Sequence, residues 1–126
     1  MRLLLDTNAL LWALTDPDRL APRAAEAIRD PDNDVFASVV NAWEIGVKRA
    51  IGRLRGHLDL EPMLDQHDFK VLPVTMAHAL AIESLPPRHH DPFDRMLIAQ
   101  TQVENLVLVT ADRKMRHYAI AVLPAR

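Results

Sequence analysis

The sequence predicts an α/β fold of three layers (α/β/α), in which helices cover both faces of a central, mainly parallel sheet of four to five strands. Apolar runs of four to six residues alternate with longer segments whose apolar residues recur at helical spacing. This alternation is typical of repeated units of strand, crossover helix and strand. The length of 126 residues suits a single domain, 1–126, with a core that needs no cross-links, and the chain contains no Cys.

The first half of the chain begins with a strand. The run RLLL at 2–5 predicts this strand, and a helix follows at 8–15 and stops before the turn-forming stretch DPDRLAP. A second helix begins at Pro22, because proline suits the first turn of a helix, and it ends in the turn DPDN. The run DVFASV then predicts a strand at 34–39.

A third helix is predicted at 40–51 from the segment VNAWEIGVKRAI. Its apolar residues Val40, Trp43, Val47 and Ile51 are spaced three and four apart, which predicts an amphipathic helix with this stripe toward the core. We therefore interpret Trp43 as a core residue rather than as a platform on which bases stack.

The second half of the chain repeats the alternation, and capping residues and prolines mark its helix boundaries. Thr75 can cap a helix that the stretch LPPRHH ends, and Asp91 followed by proline is a standard start for the next helix. The predicted elements are helices at 60–66, 75–84 and from 91 onward, and strands at 69–72, 106–110 and 119–122.

Acidic side chains from four segments are predicted to lie at one edge of the sheet. Asp6 directly follows the first strand, Asp112 directly follows the strand LVLVT, and Glu44 lies in the first turns of the third helix. A helix that feeds a parallel strand must run opposite to it, so Asp91 and Asp94, which begin the helix before LVLVT, lie at the same edge. Sites in parallel sheets form at this carboxyl edge because loops from several strands meet there.

These acids have no basic residue in the same motifs that is clearly placed to pair with all of them. Like charges at short range would raise the pKa values of the carboxyl groups and cost stability unless a positive charge lay among them. A divalent cation satisfies this requirement. Hard oxygen ligands without Cys or a close pair of His favour Mg²⁺, with Mn²⁺ as the alternative, over Zn²⁺.

Each acid also has a structural explanation. Asp6 and Asp112 can cap the helices that follow them, and Asp91, with a proline next to it, suits a cap so well that we favour that role for it. Asp94 lies where a capping-box acid would, and Glu44 can form a surface ion pair with the lysine four residues later, worth about 0.2 to 0.5 kcal/mol. Convergence favours the metal site, because helix caps have no reason to cluster at one edge.

Small polar residues at the same strand ends are candidates for orienting the carboxylates or holding water on the metal, although each also suits a turn or a cap. These residues are Thr7, Asn8, Ser38, Asn41 and Thr110. His89 and His90 have no matching partner at metal-binding spacing, so we interpret them as loop residues.

The net charge of −2 gives no overall attraction to polyanions, so any binding of nucleic acid must come from local basic patches. Such patches are more commonly solvated helix faces. Arg95, beside Asp94, could reach a phosphate or fold over the acids. The candidate cations for contacts with a nucleic-acid backbone are Lys48, Arg49, Arg53, Arg95, Arg113 and Lys114.

Four stretches of the chain, LLLDTNALLWAL, SVVNAWEIGVKRAIGRL, HHDPFDRMLIAQ and LVLVTAD, together resemble the PIN-domain ribonucleases and, within them, the VapC-type toxins of bacterial toxin–antitoxin pairs. The resemblance covers nearly the whole chain in order. It implies a PIN-like fold and an acidic catalytic and metal-binding quartet at Asp6, Glu44, Asp94 and Asp112. Asp91 is the alternative to Asp94, since the stretch DPFD offers two aspartates.

The same resemblance implies a magnesium-dependent endoribonuclease that hydrolyses RNA phosphodiester bonds. The short apolar runs and an N-terminus unlike a secretory signal predict a cytoplasmic protein. Members of this family are usually homodimers, and they are silenced by a small VapB-like antitoxin whose tail lies over the acidic pocket. The basic residues named above then become candidates for contacts with RNA. The first and third helices are candidates for the dimer surface, and no apolar run is long enough to cross a membrane.

Two other classes of function compete with a ribonuclease. A phosphotransfer domain of the receiver or haloacid-dehalogenase type also gathers acids around Mg²⁺ at the end of a parallel sheet. However, the stretch DTN lacks the second Asp of the dehalogenase motif, and VFASV does not end in the phosphoacceptor Asp of a receiver. A non-catalytic module could instead keep the fold and only bind nucleic acid or protein, and metal would then be dispensable.

Overall fold

The computed structural model of the protein describes residues 1–87 and 91–126, so the predicted loop residues His89 and His90 lie outside the described residues. Five strands form one sheet, and their pairings are parallel. The strands are β1 (Arg2–Leu5), β2 (Asp34–Ser38), β3 (Lys70–Leu72), β4 (Val107–Thr110) and β5 (Ala121–Pro124). Their order across the sheet is β3-β2-β1-β4-β5.

Helices connect the strands and lie on both faces of the sheet. They are α1 (Thr7–Thr15), α2 (Pro22–Arg29), α3 (Val39–Ala50), α4 (Leu60–Gln66), α5 (Met76–Ala81) and α6 (Pro92–Val103), with short 3₁₀ helices at Pro17–Arg19, Ile82–Ser84 and Arg113–His117. Side chains that accept backbone N–H groups fix the starts of α1, α3, α5 and α6, namely Asp6, Ser38, Thr75 and Asp91. Within the described ranges, none of the helices combines the length and the apolar character that crossing a membrane requires.

The core lies on both faces of the sheet, as the central strand β1 illustrates. Leu3 and Leu5 belong to the cluster formed with α1 and α2, whereas Leu4 belongs to the cluster formed with α6. All three leucines are fully buried, as expected for a parallel strand covered on both faces, and each burial contributes about 1.5 to 3 kcal/mol. The predicted three-layer α/β/α architecture is confirmed.

The bounds of two strands, β2 and β5, differ from the prediction in ways that have a physical reason. β2 ends at Ser38 rather than at residue 39, because the Ser38 side chain already caps α3. β5 begins and ends two residues later than predicted. Its last residue, Pro124, pairs with Thr110 in an edge strand, where the missing N–H of proline is tolerated.

The apolar stripe that the sequence places toward the core on α3 is mostly exposed. Val40 is buried, but Trp43, Val47 and Ile51 face outward, and Trp43 is 51% exposed. The interpretation of Trp43 as a core residue is therefore wrong. Its indole ring meets the ring of Phe93 edge-on, with the two centroids 4.5 Å apart.

The buried face of α3 contains polar as well as apolar side chains. It consists of Val40, Asn41, Glu44 and Ile45. Asn41 and Glu44 lie in the first two turns of the helix, so the helix carries them to the carboxyl edge of the sheet. The candidate site lies at that edge.

Candidate active site

Asp6 lies in the turn between β1 and α1 and is 8% exposed. Its Oδ1 accepts a hydrogen bond of 2.8 Å from the backbone N–H of Ala9, and its Oδ2 accepts one of 2.5 Å from the hydroxyl group of Thr110. Asp6 therefore caps α1, which was one interpretation of the sequence. It is also tied to the end of β4, the strand next to its own.

Burial raises the pKa of the Asp6 carboxyl from 3.8 to about 6. The hydrogen bonds from Thr110 and Ala9 oppose this rise, whereas the negative charges of Asp94 and Glu44 add to it. Three of the predicted acids, which come from three different elements, thus lie near enough at the carboxyl edge for their charges to interact. A cation beside Asp6 would offset the unfavourable charge.

Glu44 projects from the buried face of α3 and is 6% exposed. The hydroxyl group of Thr7 donates to its Oε1 at 2.6 Å, and the ammonium group of Lys48 donates to its Oε2 at 2.5 Å. The ion pair that the sequence offers as an alternative role for Glu44 is therefore formed. Its carboxylate is buried rather than on the surface, so removal of the lysine would leave a buried charge without its partner.

Asp112 is linked to Asp6 through Thr110. The hydroxyl group of Thr110 donates to Asp6 and accepts a hydrogen bond of 3.0 Å from the backbone N–H of Asp112. The carboxylate of Asp112 accepts the N–H of Lys114 at 2.9 Å and so caps the 3₁₀ helix that follows. Asp112 therefore acts as a cap and also lies next to the threonine that holds Asp6.

The two aspartates of the DPFD stretch have different surroundings. The Oδ1 of Asp91 accepts hydrogen bonds from the backbone N–H groups of Phe93 and Asp94, at 2.8 and 3.0 Å, which makes Asp91 the cap of α6. Asp94 lies in the first turn of α6, is half-buried, and acts on Asp6 through its charge. Asp94 thus has the electrostatic coupling expected of a site acid, whereas Asp91 has the contacts of a cap.

The small polar candidates surround the acids, with one exception. Thr7, Ser38, Asn41 and Thr110 are buried and hydrogen-bonded at the strand ends. Asn8 is exposed on the first turn of α1. Thr7 and Thr110 donate directly to carboxylates, those of Glu44 and Asp6, whereas Asn41 donates to Thr7.

The predicted cations differ in their surroundings. The guanidinium group of Arg95 donates to the backbone carbonyl of Pro86 at 2.9 Å and so braces the chain before α6. Arg49 is half-buried on α3, and its Nε and Nη2 are buried without a hydrogen-bond partner among the described residues. The exposed candidates are Arg53, Arg113 and Lys114.

The chemistry of the donor set suits a metal ion. In the parts of the chain that the structure describes, no three acidic or histidine side chains are gathered closely enough to enclose one. The available donors are carboxylate and hydroxyl oxygens, which hard divalent cations prefer, and Asp6 bears a charge that burial and its neighbours disfavour. Binding of an ion would require neighbouring carboxylates to turn toward Asp6.

Sequence reasoning missed two buried polar residues that connect with Ser38. Gln100 on α6 and His78 on α5 are fully buried, and the hydroxyl group of Ser38 donates to the Oε1 of Gln100 at 2.6 Å. A single glutamine in an amphipathic helix gives no signal, because glutamine is mostly exposed. His78 does carry a sequence signal, because it follows Thr75 at the spacing of a capping box. In the structure the two residues form the reciprocal hydrogen bonds of that motif.

Comparison with known proteins gives one consistent family. The model of the PIN domain family matches residues 3–121 of this chain. Ribonuclease VapC22 of Mycobacterium tuberculosis is 27% identical to it over 120 residues, which cover 91% of this chain and 90% of that protein.

Solved structures share the same fold. VapBC2 from Rickettsia felis, bound to a DNA fragment from its promoter, matches with a TM-score of 0.69 and 14% identity over 98% of both chains. A toxin–antitoxin complex from Klebsiella pneumoniae matches with a TM-score of 0.65 and 17% identity, over 98% of this chain and 97% of that chain. At these identities the likeness concerns the fold.

Proposed function

The chain belongs to the PIN domain family, and on that premise we propose that it is a magnesium-dependent endoribonuclease toxin held inactive by a VapB-like antitoxin. The observation that carries this proposal is Asp6, a buried carboxylate with a pKa of about 6 that lies beside the charges of Asp94 and Glu44. RNA as substrate and the antitoxin as partner are supported by the relatives, which include a ribonuclease and toxin–antitoxin complexes. We place the protein in the cytoplasm, as a single domain of residues 1–126.

The acids have distinct roles in this proposal. Asp6, Asp94 and Asp112 would hold the metal ion, and Glu44 would hold a second ion or orient the attacking water. When bound, Mg²⁺ supplies Lewis acidity toward water and toward a phosphate oxygen, and Mn²⁺ has the same preference for oxygen ligands. The hydroxyl group of Thr110 links Asp6 with Asp112, because it donates to the carboxylate of Asp6 and accepts the backbone N–H of Asp112.

The substrate must bring an anionic phosphate toward these acids. Hydrolysis adds water to the phosphorus atom and breaks the bond to one ribose oxygen. Basic side chains around these acids would offset the repulsion between the phosphate and the carboxylates. Contacts between basic side chains and phosphates weaken as the salt concentration rises. The proposed contacts with RNA are made by Lys48, Arg49, Arg53, Arg95, Arg113 and Lys114.

Cleavage of a structured RNA by the purified protein tests this function. We expect discrete products with Mg²⁺ or Mn²⁺ and none with excess EDTA, because the acids alone cannot offset the charge on the phosphate. Binding of RNA without cleavage in either metal would support a non-catalytic module instead. Formation of a stable aspartyl phosphate on incubation with acetyl phosphate would support a phosphotransfer domain.

A comparison of the two aspartates at the start of α6 tests the assignment of the third acid. Asp94→Asn is expected to lower the cleavage rate by about a hundredfold or more, because even partners of metal ligands contribute about 10- to 100-fold. Asp91→Asn is expected to retain near-full activity, since Asn caps a helix as well as Asp does. Rates at saturating RNA, with thermal melting of each variant, decide the matter. The reverse order of effects would assign the metal to Asp91.

We also propose that the protein forms a homodimer through the outward face of α3. Val39, Trp43, Val47 and Ile51 are exposed and recur every four residues, so they form a continuous apolar stripe along the helix. A contiguous apolar stripe of this kind marks a surface for protein contacts.

Two valine substitutions of equal chemistry test this dimer surface. Val47 on the stripe is 38% exposed, and Val103 at the end of α6 is 42% exposed. Light scattering is expected to give the wild type and Val103→Lys twice the 14.2 kDa of one chain, and Val47→Lys the mass of a monomer. A monomeric wild type, or a dimeric Val47→Lys, would exclude this surface.

A further inference from the structure

Gln100 is a fully buried polar side chain that joins α6 to the start of α3. Its Oε1 accepts the hydroxyl group of Ser38 at 2.6 Å, and its Nε2 donates to the backbone carbonyl of Pro73 at 3.2 Å. Because a carbonyl can only accept, the amide of Gln100 has one possible orientation, with the oxygen toward Ser38. The serine hydroxyl is therefore a donor to Gln100 and an acceptor for the N–H of Val40 at 3.0 Å.

His78 fixes Gln100 from the other side. Its Nδ1 accepts the backbone N–H of Thr75 at 3.0 Å and lies 3.4 Å from the Nε2 of Gln100. Since both neighbours are donors, Nδ1 carries no proton, and Nε2 carries the proton and faces the carboxylate of Glu104 at 3.2 Å. The ring thus has one tautomer and one orientation.

The same chain of hydrogen bonds continues from Ser38 to the candidate site. The backbone N–H of Ser38 donates to the Oδ1 of Asn41 at 2.7 Å, and the Nδ2 of Asn41 donates to the carbonyl of Leu5 and to the hydroxyl oxygen of Thr7. The Thr7 hydroxyl, which already accepts from Asn41, donates to the Oε1 of Glu44. Hydrogen bonds therefore connect Ser38 to the carboxylate of Glu44 through Asn41 and Thr7.

We propose that Gln100 and His78 are positioning residues for Glu44 in the RNA cleavage proposed above, on which this inference rests. They hold Ser38, and Ser38 holds Asn41 and the first turn of α3. That turn and Thr7 fix where one oxygen of Glu44 lies. Loss of the Gln100 acceptor frees the serine hydroxyl to rotate and loosens the start of the helix that carries Glu44.

The expected effect is on the chemical step rather than on RNA binding. Displacement of a reacting group by about 1 Å costs up to roughly a hundredfold in rate. We therefore expect Gln100→Met, which keeps the length of the side chain but removes its polar atoms, to lower kcat by about ten- to a hundredfold. KM for RNA should be unchanged, because the proposed phosphate contacts lie on other residues.

A double-mutant cycle separates positioning from stability. Gln100→Met, Ser38→Ala and the double variant are assayed with Mg²⁺ at a temperature well below all their melting points. If the two residues act through their shared hydrogen bond, the double variant loses no more than the worse single variant. Thr101→Val is the matched control, since Thr101 is a buried neighbour on α6 whose hydroxyl group donates within its own helix, to the carbonyl of Leu97 at 2.8 Å.

The outcomes are distinguishable from a failure of the proposed function. An inactive wild type would overturn the ribonuclease itself. If the wild type and Thr101→Val are active and folded Gln100→Met has an unchanged kcat, the positioning role alone is overturned. The same holds if the losses of kcat in Gln100→Met and Ser38→Ala add up in the double variant. Should Gln100→Met not fold, Ser38→Ala and Ser38→Thr decide the matter. The proposal requires kcat to fall in the first and to be retained in the second, which keeps the hydroxyl group, and equal kcat values would refute it.

Discussion

Asparagine in place of Asp6 is expected to lower kcat for RNA cleavage by about a hundredfold or more. The substitution keeps the size of the side chain and the oxygen that accepts the N–H of Ala9, so α1 still begins at the same residue. It removes the negative charge through which Asp6 is proposed to bind the metal ion. Single-turnover cleavage of a structured RNA with saturating Mg²⁺ measures this effect without contributions from product release.

Asp18→Asn is the matched control for this experiment. Asp18 is exposed in the 3₁₀ helix Pro17–Arg19, and its substitution changes the net charge by the same amount. This variant is expected to cleave RNA like the wild type. A clean preparation of Asp6→Asn with full activity would contradict both the metal site and the role of Asp6.

The positions of strands and helices could be predicted where local preferences agree with the tertiary fold. β1 is apolar at three consecutive residues because both of its faces are covered, and α6 begins where a capping Asp91 precedes a proline with a fixed backbone angle. The prediction for β5 was two residues early. An edge strand has one neighbour, so its apolar pattern constrains the pairing register less than that of a central strand does.

The buried face of α3 could not be predicted from hydrophobicity. Its regular apolar stripe is exposed, whereas Asn41 and Glu44 are buried because Thr7 and the end of β1 provide their hydrogen-bond partners. Local patterns commonly break at functional sites, where polar groups must be turned inward. The topology did indicate which edge receives the acids. The depth of Glu44 and the contact of Ser38 with Gln100 depend on neighbours that are distant in the chain, so no local pattern contains them.

Asp6 is also expected to make the metal-free protein less stable at neutral pH. Burial raises the pKa of its carboxyl group from the ordinary value of 3.8 to about 6 in the folded protein, so the folded state binds the proton more tightly than the unfolded state does. Below pH 3.8 the carboxyl group is protonated in both states and carries no penalty. As the pH rises through 6, the penalty grows to a limit of about 3 kcal/mol, since one pKa unit corresponds to about 1.4 kcal/mol.

Thermal unfolding of the wild type and Asp6→Asn, in EDTA at several pH values, measures this penalty. At pH 7.5 the variant is expected to be the more stable by about 1 to 3 kcal/mol, and the gap should close as the pH approaches 4. The lower bound reflects Thr110, whose hydroxyl group loses its acceptor when Asp6 becomes an amide. A variant that is less stable at every pH would show that the hydrogen bonds of Asp6 outweigh its charge.

Addition of Mg²⁺ to the same samples connects the stability of the fold with its proposed chemistry. A ligand that binds only the folded state stabilises it in proportion to the logarithm of its concentration over Kd. The wild type is therefore expected to gain stability with Mg²⁺ at pH 7.5, and Asp6→Asn to gain little. The burial of Asp6 would then have two effects: it disfavours the negative charge when no metal is bound, and it favours a cation beside that charge. The role of a helix cap does not explain this loss of stability, because Asn would cap α1 equally well without a charge.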